Sequence, residues 1–420
     1  MWRTAFRPEL LFLLAVVQAL LPYALWWAGF GVANAQQDIR LNYMPVVIWV
    51  TGYVSFLLGV WTTYGEGPEK ARYELRSNEK RLQGITAVVI VLVVVQLAGL
   101  TKVYGTLPIV SYIRQDRQID IRKAVKLQDE SAVGQVGMLH LTLFVLNALL
   151  LIQFIINLET GKKKWALIVI ALVVMLVGNF SNGKRQGLFR ATVFFCCGLS
   201  IYSNGLIEAI GKAFPIPRNR VLAGSAILLA VTAFVGLTGY IAFVRNQGKF
   251  ERDTLTEIIA YQEFPLINME QQCEQAGFGP FRFDVLYSFQ RLIPYKWIDA
   301  TGIARMEHPI HPIPSSPAGL YEDIQWSTGL WGVIGFSFAI GAALQWLYRQ
   351  ALNRLICLLI YAQCAFALLV AHSFNEFLIL TYDPAPFICF GLLVSLLNTK
   401  PAVTAFPVVP PVYIGRLSWR

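Results

Sequence analysis

The chain has 420 residues, 56% hydrophobic and only 14% charged, with a mean hydropathy of +0.53. That composition excludes an ordinary soluble enzyme and fits an all-α polytopic membrane protein. Its formal charge of +10 is read as Lys/Arg loops facing anionic lipid rather than as a nucleic-acid footprint, so no nucleic-acid partner is expected.

A helix needs about 20 apolar residues to cross the hydrocarbon core. Runs of that kind lie near 10–33, 43–63, 84–104, 134–157, 165–180, 187–207, 221–244, 329–347, 355–372 and 377–397. They predict about ten transmembrane helices in one integral domain spanning 1–420. The first run follows Arg3 and Arg7 and ends at Ala33-Asn34-Ala35, which resembles a signal-peptidase site. Its length exceeds a signal-peptide core of about 7–15 residues, so a retained signal anchor is expected. Cys196, Cys197, Cys357, Cys364 and Cys389 lie in apolar runs and Cys273 stands alone in a loop, a pattern that gives no disulfide framework.

The short loops set the orientation. Lys70, Arg72, Arg76, Lys80 and Arg81 follow the second run, Lys162-Lys163-Lys164 the fourth, Lys212, Arg218 and Arg220 the sixth, and Arg349 and Arg354 the eighth. By the positive-inside rule these loops and both termini are cytoplasmic. The long segment 245–328, between helices seven and eight, then lies outside the cytoplasm. The segment near 105–133 is also basic and mixed with Ile and Val, and reads as an interfacial stretch on the outer leaflet.

The candidate chemistry gathers at those outward ends. Ser181-Asn182-Gly183-Lys184-Arg185-Gln186-Gly187, followed by Arg190, lodges a basic cluster between two apolar runs. Cations kept there are costly and point to an anionic headgroup; the competing reading is ordinary snorkelling to phospholipid. Arg245 leaves the seventh run and on its own reads as an interfacial anchor. With Arg185 it makes a phosphate clamp, because guanidinium grips phosphate oxygens through a planar fork. In Glu307-His308-Pro309-Ile310-His311 two of the chain's four histidines stand three apart. They have no third metal ligand in reach, and Pro309 and Pro312 prevent a regular helix, so no metal is expected. A surface pair and a general base are the two readings. Ala318-Gly319-Leu320-Tyr321-Glu322-Asp323 leads into the eighth run. Its acids either cap a helix or orient a base or sugar hydroxyls. His372-Ser373-Phe374-Asn375-Glu376 is a further, lower-ranked candidate.

This order of features resembles the Wzy-type oligosaccharide repeat-unit polymerases of the O-antigen polymerase and ligase superfamily. Gly183-Lys184-Arg185-Gln186-Gly187 is similar to that family's Gly-x-Arg element, and Val244-Arg245-Asn246-Gln247-Gly248 to its second Arg. Pro317-Ala318-Gly319-Leu320-Tyr321-Glu322-Asp323 with Gly329-Leu330-Trp331-Gly332 is similar to its loop-to-helix passage. The family's loop histidine corresponds to His308 or His311.

The resemblance implies metal-independent, cofactor-free glycosyl transfer at the periplasmic face of the bacterial inner membrane. An undecaprenyl-diphosphate-linked oligosaccharide would serve as both donor and acceptor, with membrane lipids and a chain-length regulator protein as further partners. Arg185 and Arg245, assisted by Lys184, would bind the diphosphate, and Arg190 and Tyr321 would contact the substrate. His311 or His308 would take the hydroxyl proton and Glu322 would orient the base or the acceptor. Preplaced cations lower the barrier because the leaving group gathers negative charge. The alternatives are an O-antigen ligase and a flippase or transporter of the same lipid-linked sugars. The ligase differs only in acceptor. The transporter would carry ionisable groups near the bilayer midplane, whereas the runs Ala87–Ala98 and Ala166–Val177 have none.

Overall fold

The computed structural model describes residues 6–29, 42–64, 79–104, 130–160, 165–181, 185–203, 266–280 apart from 268 and 271, 320–372, and 385–397. Among these residues there is no strand. The helices are α1 (Pro8–Trp27), α2 (Met44–Thr62), α3 (Glu79–Tyr104), α4 (Glu130–Thr160), α5 (Trp165–Ser181), α6 (Arg185–Ser203), α7 (Leu320–Gln350), α8 (Leu355–Leu369) and α9 (Ala385–Leu396). Among the described residues, five stretches are long and apolar enough to cross a membrane: Pro8–Leu25, Met44–Thr62, Glu79–Lys102, Met138–Leu158 and Ser327–Gln350. The chain is an α-helical polytopic membrane protein. Of the predicted spans, the one near 221–244 lies outside the described residues.

The apolar solvent decides the local structure. Between Ile85 and Val95, α3 is dense in β-branched residues, which in water favour strands. In lipid every backbone N–H and C=O must be satisfied within the segment, and a helix achieves this alone. One stripe of α3, through Leu82, Val89, Val93, Leu97 and Leu100, is buried, whereas Val88, Val91, Val94 and Val95 face outward. Exposed valines of that kind suit a surface that meets lipid tails.

Helix α8 lies at the centre, buried around most of its circumference from Leu355 to Leu368. It touches α1, α6, α7 and α9, while α3, α4 and α5 pack together on one side of the bundle. The most extensive contact joins α2 and α7, and glycine permits it. A Cβ on Gly59 would collide with the carbonyl of Phe338, and one on Gly341 with that of Phe56. Small residues at such crossings let membrane helices approach backbone to backbone.

Helix α7 is two helices joined at Gly329, whose φ of 66° and ψ of −166° belong to a region open essentially to glycine alone. Sixteen residues of straight helix would separate Tyr321 and Ser337 by roughly 24 Å. Instead the Tyr321 hydroxyl lies 2.7 Å from Ser337 Oγ, so residues 320–328 fold back beside the long arm. At one end of the bundle the Tyr361 hydroxyl donates to Phe6 O at 2.6 Å and Arg349 Nη1 to Thr63 O at 2.9 Å. At the other end Leu320 N donates to Ala371 O at 2.8 Å.

Candidate functional site

That second end brings together several of the candidate residues. The start of α6 is there, because the rings of Phe189 and Phe366 lie 5.6 Å apart near the start of α6 and the end of α8. The start of α7 is there too, through the Leu320–Ala371 bond. Residues 266–280 dock against the bend of α7. Gln325 Nε2 donates to Gly279 O at 3.2 Å and Leu330 N to Phe278 O at 3.0 Å. The alpha carbon of Gly329 faces the Gly279–Pro280 backbone so closely that a Cβ would sit 2.9 Å from it.

Arg190 is only 6% exposed. Its guanidinium carbon lies 5.1 Å from the Phe144 ring centroid and 5.0 Å from that of Phe366. A desolvated cation near an aromatic face gains about 2 kcal/mol or more from a favourable contact, which offsets part of its burial. Its Nη1 is 3.2 Å from His140 Nε2. Arginine has no acceptor, so Nε2 must offer its lone pair. His140 is therefore the neutral tautomer with the proton on Nδ1, its ring set edge-on to Phe144.

Tyr321 and Glu322 are fully buried. The Tyr321 ring fits over Gly52, where any Cβ would strike it. It lies 4.6 Å from Trp49 and 6.1 Å from Phe12, centroid to centroid. Both ring and hydroxyl are committed to packing within the bundle. His372, also buried, lies 5.8 Å from the Trp49 ring. Tyr321, Glu322 and His372 are thus gathered at one end by the α7–α8 contact. Arg185 is the first residue of α6 at that same end. Its side chain, together with Lys184, Arg245, His308 and His311, lies outside the described residues. Gly187 has a packing reason to be glycine, since a Cβ there would meet Asn179 Oδ1 of α5.

Two residues escape a reading of the sequence. His140 sits in Leu139-His140-Leu141 within a long apolar run, and only its lone polarity marks it. Glu270 stands in Leu266-Ile267-Asn268-Met269-Glu270, an acid amid apolar neighbours in a loop. The structure buries Glu270 to 2% exposure, with Leu266, Ile267, Met269 and Cys273. Burial pushes its carboxyl up to about 7; the backbone and side-chain amides of Asn42 restrain the rise, and the nearby Glu274 charge adds to it. The Cys273 thiol is pushed up to about 12, by burial first and by Glu270 second. Among the described residues no group of three or more His, Cys, Asp or Glu is arranged to hold a metal ion. No protein-family model, curated protein or solved structure matches this chain.

Proposed function

We propose that the protein polymerises polyprenyl-diphosphate-linked oligosaccharide repeat units by glycosyl transfer at the outer face of a bacterial inner membrane. One observation carries the reading: Arg185, at the start of α6, and the Glu322-bearing turn of α7 lie at the same end of the bundle. A transfer that releases a diphosphate needs fixed cations beside the groups that receive the acceptor sugar. In the proposed topology ten helices cross the membrane, residues 221–244 forming the seventh. Both termini are cytoplasmic and the end holding Leu320 and Ala371 faces the periplasm. Arg185 and Arg245, assisted by Lys184, grip the departing diphosphate, and a sugar hydroxyl attacks the anomeric carbon.

Arg185→Ala and Arg245→Ala are each expected to abolish polymer while the protein still inserts. The loss is about 10²–10³-fold in rate, the cost of one preorganised charge donor. Normal chain-length ladders in both variants would dismiss the clamp. Arg185→Lys should restore activity only in part, because an ammonium lacks the bidentate fork.

A transporter of the same lipid-linked sugars has one observation in its favour: Arg190 and His140 are ionisable groups buried between helices, as on transport paths. A deletion strain separates the readings. Loss of a polymerase leaves single repeat units on the cell surface. Loss of a transporter leaves none there, with lipid-linked units retained on the cytoplasmic side.

A further inference from the structure

Transfer of a sugar onto a hydroxyl releases a proton, and some group must take it. Glu270 is the described carboxyl whose surroundings suit that task. Both its oxygens are buried without a hydrogen bond of good geometry. Among the described residues, the groups facing it are the Asn42 amides ahead of α2, Tyr23 from α1, and Cys273 and Glu274 from its own segment. None is a cation. The Tyr23 hydroxyl, 6% exposed as a residue, is likewise buried without a partner. A carboxylate that needs a donor, beside a phenol that needs an acceptor, is complemented by a hydroxyl, which supplies both at one oxygen.

We infer that Glu270 is the base that takes the proton of the attacking sugar hydroxyl, with the Tyr23 O–H and the Asn42 amide holding that hydroxyl's oxygen. The inference rests on the polymerase reading above. In the step, the acceptor O–H bond breaks and its proton passes to the Glu270 carboxylate. The oxygen bonds to the anomeric carbon of the donor. The carbon–oxygen bond to the diphosphate breaks, and its electron pair leaves with the polyprenyl diphosphate. Glu270 then returns its proton to solvent. The bonds from α7 to Phe278 and Gly279 anchor the segment that carries Glu270.

A base titrating near neutrality suits proton transfer at physiological pH. Because Glu270 acts only when ionised, the rate of the wild-type protein should climb between pH 6 and pH 8, with its half-point near 7.

The test uses the full chain in lipid nanodiscs, a synthetic polyprenyl-diphosphate-linked repeat unit, and gel readout of polymer across pH 5.5–9. Glu270→Gln resembles the protonated carboxyl in shape and should insert normally. It is expected to lower the rate at pH 8 by about 10²–10⁴-fold and to remove the acidic limb. Glu270→Asp retains an acid and should give slow transfer that still rises with pH. A Gln variant with the wild-type rate and limb overturns the assignment. So does an Asp variant whose slow rate ignores pH, or loss of the limb in His308→Ala or His311→Ala instead. A wild-type protein that transfers nothing at any pH removes the polymerase reading itself, and the role of Glu270 with it.

Discussion

Burial of Glu270 has a consequence for stability that needs no assumption about substrate. Its carboxyl is moved from an ordinary 4.5 to about 7 in the folded protein. Below pH 4.5 the folded and unfolded chains both hold the proton, and the group is neutral to stability. Between 4.5 and 7 the unfolded chain ionises while the folded one does not, so stability falls as pH rises. Above 7 both are ionised and the deficit is constant, at about 3 kcal/mol for a shift of this size. Glu270→Gln removes the titration. Relative to wild type, the variant should therefore gain about 3 kcal/mol between pH 4 and pH 8, most of it between pH 5 and pH 7. Denaturant unfolding in detergent, followed by tryptophan fluorescence at several pH values, measures the difference between the two proteins. Comparing them at each pH cancels every other titrating group. A gap between Gln variant and wild type that stays flat from pH 4 to pH 8 would show that Glu270 is solvated in the folded state, and the reasoning from burial would fail.

Two other substitutions probe the same end of the bundle. Gly329→Ala places a side chain in a glycine-only backbone conformation, costing about 1–3 kcal/mol, and drives its Cβ into the Gly279–Pro280 backbone. Residues 266–280 should lift, and Cys273, now 1% exposed, should react with a maleimide much faster at pH 8; an unchanged labelling rate would show that the segment is held elsewhere. Arg190→Met removes the donor to His140 Nε2 and should lower stability by about 1–3 kcal/mol, the cost of a buried acceptor losing its partner. Arg190→Lys should recover part of the loss, since charge over the Phe144 and Phe366 rings persists without the planar contact.

The helices were legible because lipid simplifies the problem: a long run such as Ile85–Val95 must be helical whatever its propensity in water. The bend in α7 was not. In Ser327-Thr328-Gly329-Leu330 the glycine reads as the start of a span, since sequence gives no sign that residues 320–328 are helical and folded back. The same blindness applies to the site. Tyr321 and Glu322 are conspicuous in sequence, yet what buries Tyr321 is Gly52, Trp49 and Ser337, from α2 and the far arm of α7. Arg190 meets His140 across fifty residues of chain. Polar groups inside a membrane bundle take their meaning from partners on other helices, and spacing along one helix carries no trace of them. Glu270 was hidden for a different reason: an acid between two spans reads as part of a solvated loop, whereas the residues around it are helical and pack against the bundle.

The surroundings of Arg190 bear on how the proposed clamp would divide its labour. The guanidinium lies within about 5 Å of two phenyl rings and turns Nη1 to His140, so it is engaged inside the bundle. What Arg190 does hold is α6 against α4 and α8, five residues beyond the helix start. Fixing that turn fixes the backbone of Arg185, and with it the free N–H groups that open any helix, which favour an anion placed before them. On this view Arg190 is a positioning residue and Arg185 the one that meets phosphate. The Phe366 that covers Arg190 is followed five residues later by Ala371, the anchor of Leu320. That is roughly 8 Å of helical rise. The end of α8 therefore ties the start of α6 to the start of α7, so donor and acceptor ends of the proposed reaction are set by one short helix rather than by the long loops around it.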